Sequence, residues 1–176
     1  MSGLGKYVWT ALAIAVLTHV VALYGYPRLV MHVAMDRITG AHANAWRQTP
    51  RVTEQSRTIV RPSPDLAYSA CVYDLSQGPV EIRVAPWRSY WSLSLYQDNS
   101  DNFFVIDDRE AHAGADILIV QQGSSPPNQT TAQVVESPST RGIALIRRLA
   151  PVLDDYSEAT QVAHDDVCAT LVRSAN

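Results

Sequence analysis

The sequence predicts a mainly β domain of the α+β class: an antiparallel, sandwich-like unit with a C-terminal packing helix, preceded by one transmembrane helix. Three observations carry this. Residues 59–107 form short apolar runs separated by turn residues; Val80, Ile82 and Val84 alternate with Glu81 and Arg83, and Trp91, Leu93 and Leu95 with Ser92 and Ser94. That period of two marks strands with one packed face and one face toward water. From Asp154 the pattern changes to Tyr156, Ala159, Ala163, Val167 and Leu171, a helical spacing with Asp154 as the expected N-cap. Residues 7–26 form an apolar run of about the 20 residues that span a bilayer as a helix.

Length and charge bound the rest. With 176 residues and 47% hydrophobic content, the chain can bury one sizeable core, so one globular domain is expected. A net charge of -3 leaves no broad basic surface to compete for phosphate backbones, which argues against nucleic acid. Lys6 is the single lysine, and the arginines are scattered, Arg147-Arg148 being the one adjacent pair.

The expected organisation is a tail over 1–6, a transmembrane helix over 7–26, a juxtamembrane helix and linker over 27–55, and a β-rich domain over 56–176. Tyr7, Trp9, Tyr24 and Tyr26 place amphipathic rings at both ends of the span. Pro27 is expected to interrupt the helix. A cleaved signal peptide would need small residues where Leu23, Tyr24 and Tyr26 stand. Lys6 precedes the span while Arg28 and Arg37 follow it, so charge alone does not orient it. The short tail suits an inner-membrane anchor with its N-terminus inside and the domain in the periplasm. His19 lies inside the span; it could bond to a neighbouring helix, sit near one interface, or ligate a metal or macrocycle. Residues 29–46 suit a short amphipathic stalk ended by Gly40, and 48–55 reads as a connection.

Further strands are expected at 67–75, 115–121, 133–136 and 142–147, the apolar 115–121 run in the middle of a sheet. Turns fall at 86–89 and 98–101, and 123–131 reads as a loop. The domain opens on Arg61-Pro62-Ser63-Pro64-Asp65-Leu66-Ala67-Tyr68-Ser69; then come Asp74-Leu75-Ser76, Gly78-Pro79-Val80, Tyr90, Leu95-Tyr96, Asn102-Phe103 and Arg141-Gly142. In these residues the chain resembles the family catalogued as domain of unknown function 1254, well over 56–121 and more weakly beyond. The resemblance implies a β-rich bacterial cell-envelope domain without an established activity. Two departures stand out. Many members carry Asn-Asp-Thr near Ser63-Pro64-Asp65-Leu66, and many continue into a second domain of unknown function, numbered 1214. The chain ends too soon to hold that domain, which implies a stand-alone module or a separately encoded, membrane-anchored partner.

Candidate chemistry is sparse. Asp65 and Tyr68 could place a carboxylate and a phenol at one pocket, with Arg61 beside them; the structural alternative is a turn-capping Asp and a packed Tyr. Asp98, Ser100 and Asn102 have the alternate oxygen spacing of calcium loops but lack the loop glycine and distal Glu, and the same residues make ordinary hairpin turns. His112 and His164 stand apart from any metal-ligand spacing. No Gly-x-Ser-x-Gly elbow or phosphate-cradling glycine loop is present. No metal or other cofactor is implied. The reading that follows is a membrane-anchored binding or assembly module of the envelope; the alternative is a small envelope hydrolase or isomerase acting on a polar ligand. Cys71 and Cys168, the two cysteines, could bridge an early strand to the C-terminal helix in an oxidising compartment. Two free buried thiols are the default while nothing places their Cα atoms within the ~7 Å a bridge requires.

Overall fold

The computed structural model describes residues 3–40, 42–53, 55–56, 61–127 and 130–171. Residues 1–2 of the expected tail, 59–60 of the strand-rich stretch and 128–129 of the expected loop lie outside them. The chain begins with helix α1 (Gly3–Thr39), followed by β1 (Arg47–Gln48), β2 (Leu66–Asp74), β3 (Val80–Val84), β4 (Trp91–Gln97), β5 (Asn102–Asp107) and β6 (Ala115–Gln121). β7 (Gln133–Ser137), β8 (Arg141–Leu149), α2 (Leu153–Val162) and β9 (Val167–Thr170) complete it. Two sheets face one another, ordered β1-β2-β8-β4-β5 and β7-β6-β3-β9. All the pairings are antiparallel except the parallel β6–β7. The domain is therefore the expected mainly β, sandwich-like unit with a packing helix.

The alternating residues build the core. Val80, Ile82, Trp91, Leu93 and Leu95 are each 0% exposed, packed with Tyr73, Ile117, Ile119 and Ile146. β6 lies inside its sheet between β7 and β3, as its apolar run predicts. On β4, however, the intervening Ser92 and Ser94 are buried as well. Their face does not simply meet water, because Arg147 from β8 lies beside it.

The C-terminal stripe is not one helix. α2 stops at Val162, a 3-10 turn follows over Ala163–Asp165, and Val167 and Cys168 belong to β9, paired with β3. Asp154 is not the N-cap; Val152 occupies that position without a side-chain bond, and Asp154 lies in the first turn, where a carboxylate suits the helix dipole. α2 packs Ala159 and Tyr156 into the core and receives a Gln48 hydrogen bond on the Thr160 carbonyl, closing the sandwich beside β1 and β2.

Cys71 on β2 and Cys168 on β9 form a disulfide joining the two sheets, with Cα atoms 6.7 Å apart. This overturns the default of free thiols and replaces the expected strand-to-helix bridge with a strand-to-strand one. Register explains it: Cys168 sits opposite Ile82 on the inner face of its sheet, where a helix would have turned it elsewhere. A second link between sheets is ionic. Arg148 on β8 donates to both Asp166 carboxylate oxygens, at 2.9 and 2.7 Å, and to the Ala85 carbonyl. Asp166 also accepts the Ala85 N–H, and both side chains are almost wholly buried.

α1 continues through Pro27 into a single 37-residue helix instead of breaking there. Arg28 donates to the Tyr24 carbonyl in the turn that proline's missing N–H weakens. The second half is not a free stalk. Met31, Ala34 and Met35 pack on Val72 of β2 and Ile143 of β8, with Ile38, Tyr96 and Leu145 around them. Gly40 ends the helix at φ 52°, a left-handed conformation that glycine adopts without strain. Arg47 donates to the Thr39 carbonyl just before it. The first half of α1 is long and apolar enough to cross a membrane, and none of that window is buried by the rest of the chain.

Gly142 pairs with Tyr73 across the β2–β8 ladder. A Cβ there would stand 2.1 Å from the Tyr96 carbonyl oxygen and 2.2 Å from the Tyr73 hydroxyl, so only glycine fits. Asp166→Asn should cost about 3–5 kcal/mol, because it leaves the Arg148 charge buried without its partner. Asp155→Asn, which removes a partner of the exposed Arg88, should leave the unfolding midpoint nearly unchanged, because solvent screens the pair. Urea unfolding of the two variants measures the contrast; similar midpoints would show that the buried pair does not hold the sheets.

Candidate functional site

The outer face of the five-stranded sheet is divided. Along β8, Ala144, Ile146 and Arg148 point into the sandwich, so Ile143, Leu145 and Arg147 point out. Ile143 and Leu145 lie under α1. Arg147 stands beyond it, in a row that runs across the sheet as Tyr68, Arg147, Ser92 and Asp107.

Arg147 donates to Ser94 Oγ at 3.0 Å and to the Tyr96 hydroxyl at 2.9 Å. No carboxylate of the described residues pairs with it. Burial pushes the Tyr96 phenol up, but hydrogen bonds with Arg147, Asn102 and Ser94 and the charge of Arg147 outweigh it and bring the group below its usual range. The Ser92 hydroxyl is buried and has no hydrogen-bond partner among the described residues. A cation and an acidified phenol thus share one surface, with the buried Ser92 hydroxyl beside Arg147 on the same face. That set suits holding a polar or anionic group.

The residues singled out by sequence do not meet at one place. Tyr68 lies in the Arg147 row, and its hydroxyl accepts the Ser63 N–H at 2.8 Å, pinning the Pro62–Pro64 turn. Asp65 and Arg61 are exposed at that end of the sheet. The Asp65 carbonyl accepts the Ala150 N–H, and its carboxylate accepts no hydrogen bond among the described residues. Asp98 lies at the opposite end of β4, about 20 Å away by the length of the strand. Asn102 joins the Tyr96 cluster. The oxygen-rich turn closes on itself instead of opening toward an ion: Asp101 accepts from Gln97 and Asn99, and its N–H bonds the Asn99 side chain. No group of three or more metal-ligating side chains occurs among the described residues. His19 is exposed on α1 within the apolar stretch.

Sequence reasoning passed over Arg147. The available signal was the adjacent pair Arg147-Arg148 inside a strand pattern, since alternation must send one guanidinium inward and the other outward.

A second feature lies where α1 meets the sheet. Arg28, His32 and Met35 face Asp98, Ser139 and Arg141 across an open groove of about 840 Å³. Two of its lining side chains have carboxylate neighbours, His32 with Asp36 at 3.5 Å and Arg141 with Asp74 at 3.3 Å.

The fold is a two-sheet, mainly β sandwich with a packing helix and a long apolar N-terminal helix laid across part of one sheet. The family described as Protein of unknown function (DUF1254) matches residues 43–169, most of the chain, and the chain belongs to that family. The match takes in β1 at one end and β9 at the other, beyond the 56–121 core of the resemblance. No curated protein is similar to it. Among solved structures, the VPA0106 protein from Vibrio parahaemolyticus superposes with a TM-score of 0.67 at 15% identity, over 85% of this chain and 36% of that one. The chain thus spans about a third of the length of that protein. An uncharacterised protein from Burkholderia cenocepacia has a TM-score of 0.45 at 12% identity, over 65% of this chain and 33% of that one.

Above the ordinary tyrosine value of 10.0, Tyr96 contributes to stability because the folded state favours its phenolate; that contribution is lost as pH falls through its lowered folded value. Tyr73 is pushed up, chiefly by burial. Its contribution is whole below the ordinary value and is lost as pH rises through the higher folded one. Phenolate absorbance should therefore resolve an early transition, which Tyr96→Phe removes and Arg147→Met shifts upward. An early transition unmoved by Arg147→Met would show that the guanidinium does not act on the phenol.

Proposed function

We propose that the chain is an inner-membrane-anchored binding or assembly module of the bacterial envelope, with its domain on the periplasmic side. The carrying observation is the continuity of α1. Its exposed apolar half runs unbroken into turns that form part of the domain's own packing. A tether would need only a flexible link, whereas this helix sets the sheet in a fixed attitude to the membrane. Exposed Leu, Val, Ile, Tyr and Trp side chains on its first half are costly in water and favourable in lipid.

The disulfide supports the periplasmic side, since such bonds persist in oxidising compartments. The Arg147 and Tyr96 cluster is the binding surface. A separately encoded, membrane-anchored protein carrying domain of unknown function 1214 is the proposed partner.

Affinity purification of the intact protein from solubilised membranes should recover a stoichiometric membrane partner that Arg147→Ala loses. A bound metabolite without any partner would overturn assembly. Alkylation straight from cells, followed by labelling of the denatured chain, should find no free thiol without reductant and two with it. Two free thiols without reductant would overturn the periplasmic placement.

A further inference from the structure

We propose that the groove between α1 and the turns of the sheet binds the zwitterionic headgroup of an aminophospholipid, its phosphodiester on Arg28 and its primary ammonium on Asp98. The inference rests on the membrane-anchored reading of α1 and adds a ligand to it.

Position comes first. Residues 7–26 span about 30 Å as a helix, the thickness of a bilayer's hydrocarbon core. Arg28 follows Tyr26 by two residues, about 3 Å along the axis, which is the depth of the phosphates. The groove therefore opens at the headgroup layer, with exposed Leu23 and Tyr24 of the apolar stretch on its bilayer side for an acyl chain.

Charge then selects the ligand. With His32 held by Asp36 and Arg141 by Asp74, Arg28 and Asp98 remain as the lining charges of opposite sign that pair with nothing among the described residues. They come from opposite walls, one from the helix and one from the β4–β5 turn, and form no ion pair with each other. Arg28 spends one guanidinium nitrogen on the Tyr24 carbonyl and keeps other donors for a phosphate oxygen. Asp98 donates its backbone N–H to the Ser139 hydroxyl oxygen and keeps its carboxylate for an ammonium. A cation and an anion separated by an open space of about 840 Å³ match a molecule with the complementary pair. An anionic headgroup would satisfy Arg28 and leave Asp98 repelled.

The test uses the full chain in detergent, titrated with phosphatidylethanolamine, with phosphatidylglycerol, and with soluble O-phosphoethanolamine, bound molecules being counted by native mass spectrometry. Phosphatidylethanolamine should bind about ten-fold more tightly than phosphatidylglycerol. Asp98→Asn should abolish that preference, while Arg28→Gln should weaken both lipids by about ten-fold or more. Asp154→Asn, on α2 and outside the lining, should retain the preference and shows that any surface charge change is not enough. Equal binding of the two lipids, or a preference that survives Asp98→Asn, overturns the proposal. Soluble O-phosphoethanolamine binding as tightly as the lipid overturns the membrane as the source. Carbonate extraction of membranes separates the two readings: release of the chain overturns the anchor, whereas a retained chain without lipid preference overturns the groove alone.

Discussion

The Arg148–Asp166 pair is the constraint on which the sandwich depends. It sits on the inner face of β8, past Ile146 and toward the end where β3 and β4 leave their sheets. Burying two charges carries a desolvation cost that their attraction only repays with good geometry and further hydrogen bonds. Here the geometry is bidentate and Ala85 supplies both a donor and an acceptor, leaving Arg148 Nε without a partner among the described residues. Apolar replacements could make that region as stable. What the pair alone fixes is alignment: Asp166 immediately precedes β9, so clamping it to β8 sets the register of β9 on β3 and turns Cys168 toward Cys71. The disulfide then closes a separation of 97 residues, worth up to about 4.7 kcal/mol in the chain-entropy account.

α1 supplies the second constraint, on the opposite face. A sheet that packs on one side leaves the other to water, and α1 covers only part of it, over Val72 and Ile143. The division makes both surfaces of interest. The uncovered part carries Arg147, whose neighbours Ser94 and Tyr96 sit at the edge of the helix contact. The margin where the helix departs from the sheet leaves the groove between Arg28 and Asp98. Linker residues fasten this arrangement. Asn44, at φ 55°, bonds the Asp74 backbone in both directions and reaches Thr170, tying the helix exit to one strand of each sheet.

Much of this was legible in the residues. Period-two alternation identified β3 and β4, the apolar run located β6 inside its sheet, and Gly40 marked the end of α1. Where the reading failed, the cause was competition between patterns. Tyr156, Ala159, Ala163, Val167 and Leu171 keep a helical spacing, yet only the first two lie in α2 and Ala163 opens a 3-10 turn before Asp166 is taken by Arg148; a buried ion pair outweighs propensity over so few residues. Pro27 signals a break in isolation, but a helix packed at one end and flanked by Arg28 can carry it. The site was less visible than the fold. Asp65, Tyr68 and Asp98 are conspicuous as residue types, whereas Arg147 gains its meaning only from the partner strands that set Tyr96 and Ser94 beside it. Strand order is a long-range property, and one sequence does not contain it locally.

The same strand order places the two surfaces at different heights in the proposed orientation. Asp98 lies at the membrane end of β4 and Ser92 six residues farther along, about 20 Å at the rise of an extended strand. Tyr96, which the Arg147 guanidinium also holds, stands between them, two residues or about 7 Å from Asp98, inside the ~8 Å over which charges act through physiological salt. In that orientation the Arg147 cluster meets the charges of the groove at its Tyr96 end, while its Ser92 end stands clear of them. The groove would draw on a ligand already concentrated in the plane of the headgroups. A single face of one sheet can thus serve a lipid at its base and a partner above it, because α1 fixes both distances at once.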